Sequence, residues 1–326
     1  MTGDVDLGLL NRWQRDFPIV TRPFERIARA EGMDEAAVIA AFRALQAGGR
    51  MTRIGALFRP NTVGASTLAA MQVPAGELER VAAQVSARAE VNHNYERGHA
   101  VNLWFVASAG DAGALETVLL GIERETGFRV LRLPLVEEYH IDLGFDLATG
   151  RDTARPARTP AAPGPVRLTA AERRLVVALA DGLPFDPQPY ARLGEAATLP
   201  ETGVMATLRD WLERGVLRRF GAVARHRSLG FEANAMVVWD VPDALAPVAG
   251  GVLAGEPAVT LCYRRARSLP EWPYTLYCMV HGRARDTVLG QVAQLTRLAG
   301  LEAQPREILF SERCFTQRGA RYAAAA

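Results

Sequence analysis

The chain has 326 residues, 49% of them hydrophobic and 23% charged, with 38 basic and 36 acidic side chains and a formal net charge of +2. This composition excludes an unfolded polar chain. It also excludes a general electrostatic pull toward nucleic acid or an anionic membrane, so any basic patch must be local. The length predicts two or more domains. Cys262, Cys278 and Cys314 are odd in number and lack C-x-x-C spacing, which argues against a disulfide framework or structural zinc and for buried free thiols. The N-terminal stretch MTGDVDLGLLNRWQRDFP has no positive leader followed by an apolar run, and no run of about 18 apolar residues occurs, so a cytoplasmic, non-membrane protein is expected.

In chain order, RPFERIARAEG predicts a helix with a turn at Gly32, and a second helix follows over Asp34–Gln46, capped by Asp34 and stopped at Gly48 and Gly49. This is helix-turn-helix spacing, and the strand piece MTRIGAL after it predicts the wing of a winged helix. Next come a strand over Ser66–Val73, a helix over Ala75–Ala87, strands over Val91–Arg97 and Ala100–Ala107, a helix over Ala112–Thr126 and a strand over Arg129–Glu137. That order, βαββαβ, is ferredoxin-like. Residues 148–169, rich in Pro, Ala, Gly and Arg, predict a linker.

Beyond the linker the pattern repeats. PYARLGEAATLPETGVMATLRDWLERG predicts two helices with a turn near Leu199–Glu201 and a stop at Gly215, LRRFGAV a second wing, and Asn234 to about Phe310 a second βαββαβ run. RIGALFRPNTVG aligns with RFGAVARHRSLG, placing Gly55 against Gly221 and Gly64 against Gly230. Tyr95 aligns with Tyr263 and Arg97 with Arg265. The fold class expected is therefore α+β, a tandem repeat of a winged helix-turn-helix and a ferredoxin-like module. Its boundaries are 1–60, 61–147, a linker at 148–169, 170–228 and 229–326.

Within VNHNYER, the period of two puts Val91, His93, Tyr95 and Arg97 on one strand face. Arginine supplies every basic residue, and its clusters are local: Arg218, Arg219, Arg225 and Arg227 surround His226, while Arg264, Arg265 and Arg267 precede Trp272, Tyr274 and Tyr277. Such rows suit a ligand with anionic rim groups and a flat apolar body. No Gly-x-Gly-x-x-Gly loop, Walker loop, Ser-centred elbow or His-x-x-x-His metal motif occurs.

A winged helix followed by βαββαβ, with RIGALFRPNTVG at the junction, resembles the Lrp/AsnC superfamily. RRFGAVARHRSLGF, VNHNYER, CYRRARSLPEWPYTLYCMVHG and the duplication resemble the siroheme decarboxylases in their fused, two-module form. The resemblance covers nearly all the chain outside the linker. It implies a carboxy-lyase that removes acetate carboxyl groups from siroheme during haem d1 or alternative haem biosynthesis, with no cofactor beyond the iron tetrapyrrole substrate and no metal site of its own. Loss of an acetate as carbon dioxide needs a proton donor near the methylene carbon, and histidine titrates in the right range.

His93 and His226 are the candidate proton donors, while Tyr95, Arg97, Arg219, Arg225, Tyr263, Arg265, Trp272, Tyr274 and His281 are candidate substrate-binding residues. His99 reads as a solvated turn residue and His140 has no assigned role; any histidine here could instead ligate the iron. His93 faces Leu261 across the repeat and His226 faces Pro60, which favours a composite cleft fed by both modules. An internal pseudo-dimer is expected, with association to other haem d1 biosynthesis proteins or to a second copy left open. The alternative is an Lrp/AsnC-type DNA-binding regulator that senses a haem-like or amino-acid ligand. Against it, residues 33–49 and 199–215 each carry a net charge of −1, unfavourable for phosphate contacts.

Overall fold

The computed structural model describes residues 2–141, 144, 146–147 and 164–322, with the backbone alone for residues 2–6, 226 and 227. Most of the expected linker, 148–163, lies outside the described residues. The first half contains α1 (Thr2–Arg12), α2 (Pro23–Glu31), α3 (Glu35–Ala47), β1 (Met51–Phe58), β2 (Ala65–Met71), α4 (Leu78–Ala87), β3 (Val91–Arg97), β4 (Leu103–Ala109), α5 (Ala112–Thr126), β5 (Leu131–Leu133) and β6 (Leu135–Ile141). The second half contains α6 (Ala170–Leu179), α7 (Pro189–Ala197), α8 (Glu201–Glu213), β7 (Leu217–Ala224), β8 (Ala233–Trp239), α9 (Ala246–Gly255), β9 (Val259–Arg265), β10 (Leu276–Gly282), α10 (Arg285–Leu298) and β11 (Arg306–Gln317). No helix among the described residues is long and apolar enough to cross a membrane.

The chain divides into two compact units that cut across the repeat. The first unit comprises 1–65, 160–229 and 318–326, uniting both helix-turn-helix segments with the C-terminal tail. Gly32 turns between α2 and α3 at φ 66°, a left-handed conformation that glycine adopts without a Cβ clash. Asp34 sits at the N-cap of α3 without a side-chain cap bond, whereas Thr169 forms a full capping box with Glu172 at α6. The expected wings are corrected by the structure: β1 and β7 pair antiparallel with each other, Gly55 opposite Gly221 and Leu57 opposite Arg219. Gly221 lets the segment just after α1 approach closely, because a Cβ there would stand 2.3 Å from the Gln14 carbonyl oxygen. Phe17, Phe24, Phe42 and Phe220 fill the core in tilted and edge-on contacts. The tail, expected to end the second ferredoxin-like module, instead buries Tyr322 against Phe58 and pairs Arg321 with Asp181 at 2.8 Å.

The second unit, 66–159 with 230–317, holds a nine-stranded sheet in the order β5-β2-β4-β3-β11-β8-β10-β9-β6. Each module supplies a ferredoxin-like quartet, β5-β2-β4-β3 and β11-β8-β10-β9. Their junctions are reciprocal: β11 pairs β8 through its first half and β3 through its second, while β6 pairs β9. The expected strand over Arg129–Glu137 is broken at Pro134, which has no N–H for a ladder, so β5 stays with β2 and β6 crosses to the other module. β4 begins later than expected, at Leu103. The Asn102 amide instead makes two bonds with the Val73 backbone, at 3.0 and 2.9 Å, and holds the preceding turn.

Alternation along β8 splits the core. Ala235, Val237 and Trp239 face α9 and α10. Met236 and Val238 face an inner layer shared with Leu68, Ala70, Trp104, Leu133, Tyr263, Trp272, Tyr277 and Leu309. The inner layer draws on both modules.

Candidate functional site

The orientation of β3 is fixed by Asn94, whose amide Nδ2 reaches back to the Ala82 carbonyl at 3.1 Å and Ser86 Oγ at 3.0 Å on α4. His93, Tyr95 and Arg97 therefore share the opposite, inner face. The His93 and Tyr95 rings stack at 6.1 Å with 16° between planes, and the Arg97 guanidinium lies 6.0 Å from the Tyr95 centroid. A bulge between Val91 and His93 takes Val91 out of this register. His93 and Tyr95 remain half-buried, whereas Arg97 is only 7% exposed.

Both modules surround Arg97. Its Nη1 donates to the Leu309 carbonyl on β11 at 2.9 Å, and Nη2 stands 4.0 Å from Met279 Sδ on β10. Desolvation lowers its pKa to about 10, so it stays charged at neutral pH. No carboxylate among the described residues pairs with it, so among those residues it is a buried cation without a matching negative charge.

His281 lies two residues beyond Met279 on β10, opposite Asn234 on β8. Asn234 Nδ2 donates to the Phe231 carbonyl at 2.9 Å, which turns Oδ1 toward His281 Nδ1 at 2.5 Å. The imidazole must then carry its proton on Nδ1 and present the Nε2 lone pair. Burial, and secondarily the charge of Arg97, lower the His281 pKa to about 4, so the ring is neutral at pH 7. A neutral imidazole with its proton on Nδ1 is an acceptor or iron ligand rather than an acid. Asn234 and Met279 were not anticipated; a lone amide in the apolar run ANAMVVW was the available signal for the first.

The remaining expected residues fall elsewhere. Tyr263 and Arg265 reproduce Tyr95 and Arg97 on β9, with Arg265 4.4 Å over the Tyr263 ring and Nη1 donating to Leu133 at 2.7 Å. Trp272 is 1% exposed, packed edge-on against Trp104 at 4.9 Å and Tyr274 at 4.8 Å, with Nε1 donating to Tyr277 Oη at 2.7 Å. Tyr274 is half-buried and its hydroxyl stands 3.4 Å from Glu307. Arg267 is bound to Asp240 and Asp243, and Arg264 to Glu137, so the arginine run after Tyr263 is largely committed to carboxylates. His99 is half-buried rather than solvated: Nδ1 accepts from Val101 N at 2.9 Å and the ring lies edge-on to Trp272. His140 is buried on β6 opposite Cys262.

Arg219, Arg225 and His226 belong to the first unit. Arg219 is 5% exposed and donates to the Gln14 and Ala222 carbonyls. Arg225 is exposed, its backbone N–H bonded to Arg50. His226 opens a 3-10 turn, His226–Leu229, and its side chain lies outside the described residues.

This arrangement, two helix-turn-helix segments and two fused βαββαβ modules enclosing a buried cation, is that of a duplicated Lrp/AsnC-type ligand-binding protein. An AsnC-like ligand binding domain matches residues 63–140 and 228–316, and a siroheme decarboxylase NirDL-like HTH domain matches 6–51 and 172–218. The chain belongs to the siroheme decarboxylases, a family of carboxy-lyases. It is 46% identical over 321 residues to the siroheme decarboxylase NirDL subunit of Paracoccus denitrificans (strain Pd 1222), covering 97% of both chains. It is 32% identical over 317 residues to the siroheme decarboxylase of Hydrogenobacter thermophilus (strain DSM 6534 / IAM 12695 / TK-6), covering 95% of this chain and 92% of that one. A crystal structure of the siroheme decarboxylase NirDL superposes over 99% of this chain and 95% of that one, with a TM-score of 0.69 and 27% identity. A second, in co-complex with an iron-uroporphyrin III analogue, matches with a TM-score of 0.68 at 28% identity, covering 99% and 94%.

Proposed function

We propose that this chain removes carbon dioxide from acetate side chains of siroheme to give didecarboxysiroheme. The bond between the side-chain methylene and its carboxylate breaks, carbon dioxide leaves, and the methylene carbon takes a proton to become a methyl group. The macrocycle serves as the electron sink for that step. The observation carrying the reading is Arg97, a buried cation without a carboxylate partner among the described residues, next to two histidines and a tyrosine. It is suited to hold a substrate carboxylate, Tyr95 to lie against the ring, and His93 to deliver the proton. The neutral His281 is suited to meet the iron through Nε2. His226 is the second candidate donor.

The relative crystallised with an iron-uroporphyrin III analogue supports an iron tetrapyrrole as ligand. DNA binding draws less support, because β1 and β7, the strands of the expected wings, are spent on each other. The test is anaerobic incubation with siroheme followed by mass spectrometry of the extracted tetrapyrrole. Successive losses of carbon dioxide are expected. His93→Ala should lower turnover far more than binding, and Arg97→Ala should weaken both. Intact siroheme after incubation with folded protein that binds it would overturn the reading.

A further inference from the structure

We infer that Asn94 is a positioning residue for the decarboxylation, a key that holds β3 in the one register turning His93 and Tyr95 inward. This rests on the siroheme reading above and adds the group that sets its geometry. Backbone pairing alone fixes that register weakly. The ladder with β4 is bulged between Val91 and His93, and the ladder with β11 between Ser311 and Arg313 and again between Cys314 and Thr316. A slip of one residue would turn Asn92, Asn94 and Glu96 inward in place of His93, Tyr95 and Arg97. Asn94 opposes the slip: it is 0% exposed, and its amide donates to the Ala82 carbonyl and to Ser86 Oγ on α4. Any other register would take a buried amide from both acceptors. Arg97, at the far end of the row, has its own anchor in the Leu309 carbonyl, so the clamp acts chiefly on the His93 end, beside the bulge.

The duplication supplies the contrast. Asn94 is the fourth residue of β3 as Cys262 is of β9, while Ala82 and Ser86 are the fifth and ninth of α4 as Gly250 and Ala254 are of α9. The contact recurs there in weaker form, with Cys262 Sγ 3.6 Å from the Gly250 carbonyl. A thiol is a poor donor, and alanine offers no side-chain acceptor. The residue beside Cys262 is Leu261, where the first module has His93. The strong clamp accompanies the imidazole, and the strand without one is held by a thiol.

Asn94→Cys combined with Ser86→Ala gives the first module the second module's set, which the same architecture already accommodates. In anaerobic turnover of siroheme this variant should lose about tenfold or more in kcat, because a displacement of about 1 Å at a reacting group costs up to about a hundredfold. Its affinity for iron uroporphyrin III, from Soret absorbance, should stay within about threefold of wild type, since Arg97 keeps its anchor. Hydrogen exchange over residues 91–97 should quicken. Cys262→Ala, the parallel deletion in the second module, should leave kcat within about twofold. A kcat within about twofold of wild type in the folded double variant, or a loss of affinity as large as the loss of kcat, would overturn the inference while leaving the siroheme reading intact. Should the double variant fail to fold, Ser86→Ala alone decides: kcat lower by about threefold is expected, and an unchanged kcat overturns the inference. Folded wild type that turns over no siroheme would overturn both.

Discussion

Replacing His281 with glutamine removes a group whose titration is tied to folding. In the folded chain its pKa falls from the ordinary 6.5 to about 4, chiefly by desolvation and secondarily by the charge of Arg97. Between those values the unfolded chain binds a proton that the folded chain refuses, so acidification favours unfolding. The effect begins as pH drops through 6.5, grows by about 1.4 kcal/mol per unit, and levels off when the folded ring titrates. The interval from 6.5 to about 4 corresponds to about 3 kcal/mol; above pH 6.5 the contribution vanishes. Glutamine does not titrate and keeps a hydrogen-bonding group opposite Asn234. The stability of wild type minus His281→Gln, from urea unfolding followed by tryptophan fluorescence, should be constant above pH 7 and decline by about 3 kcal/mol toward pH 4. The difference cancels the carboxylates common to both proteins. A difference that stays flat across that range would refute the claim that His281 is held neutral beside Arg97.

Asn234→Asp places a carboxylate against His281 Nδ1. At about 4 Å and an effective dielectric near 20, this favours the imidazolium by about 4 kcal/mol, roughly 3 pKa units. Proton NMR should find the ring titrating near neutrality; an unmoved resonance would show that Asn234 does not face it. Trp272→Ala should destabilise the chain by about 3–5 kcal/mol in urea unfolding, since it empties a fully buried indole site and removes a hydrogen bond to Tyr277; a loss below about 1 kcal/mol would count against core packing. Gly221→Ala drives a Cβ into the Gln14 and Trp13 carbonyl oxygens, at 2.3 and 2.7 Å, whereas its register partner Gly55 would meet only the Arg53 side chain. Thermal unfolding should therefore drop much further for Gly221→Ala than for Gly55→Ala, and equal drops would contradict the close approach of the Trp13–Gln14 backbone.

Most elements and the His93, Tyr95, Arg97 row were legible in the sequence because they depend on local order. Strand period two put the row on one face, Gly32 and Gly49 marked helix ends, and the repeated Tyr-x-Arg exposed the duplication. The fate of individual side chains was less legible. Arg97, Arg219 and Trp272 read alike as candidate substrate-binding residues. In the folded chain all three are buried, Arg97 and Arg219 bonded to backbone carbonyls and Trp272 to the Tyr277 hydroxyl.

By itself, then, the sequence determined the order of elements, the duplication and the residue types available for chemistry, since period, capping and turn conformation act between near neighbours. Only the tertiary structure decided that β1 pairs β7 and that β11, after pairing β8 of its own module, runs on to pair β3. Backbone hydrogen bonds are chemically the same with any partner strand, so the choice is made by packing between distant segments. The same assembly decided that His281 is neutral and Arg97 charged but buried, because desolvation and the field of a neighbouring charge exist only once β3, β8, β10 and β11 have come together.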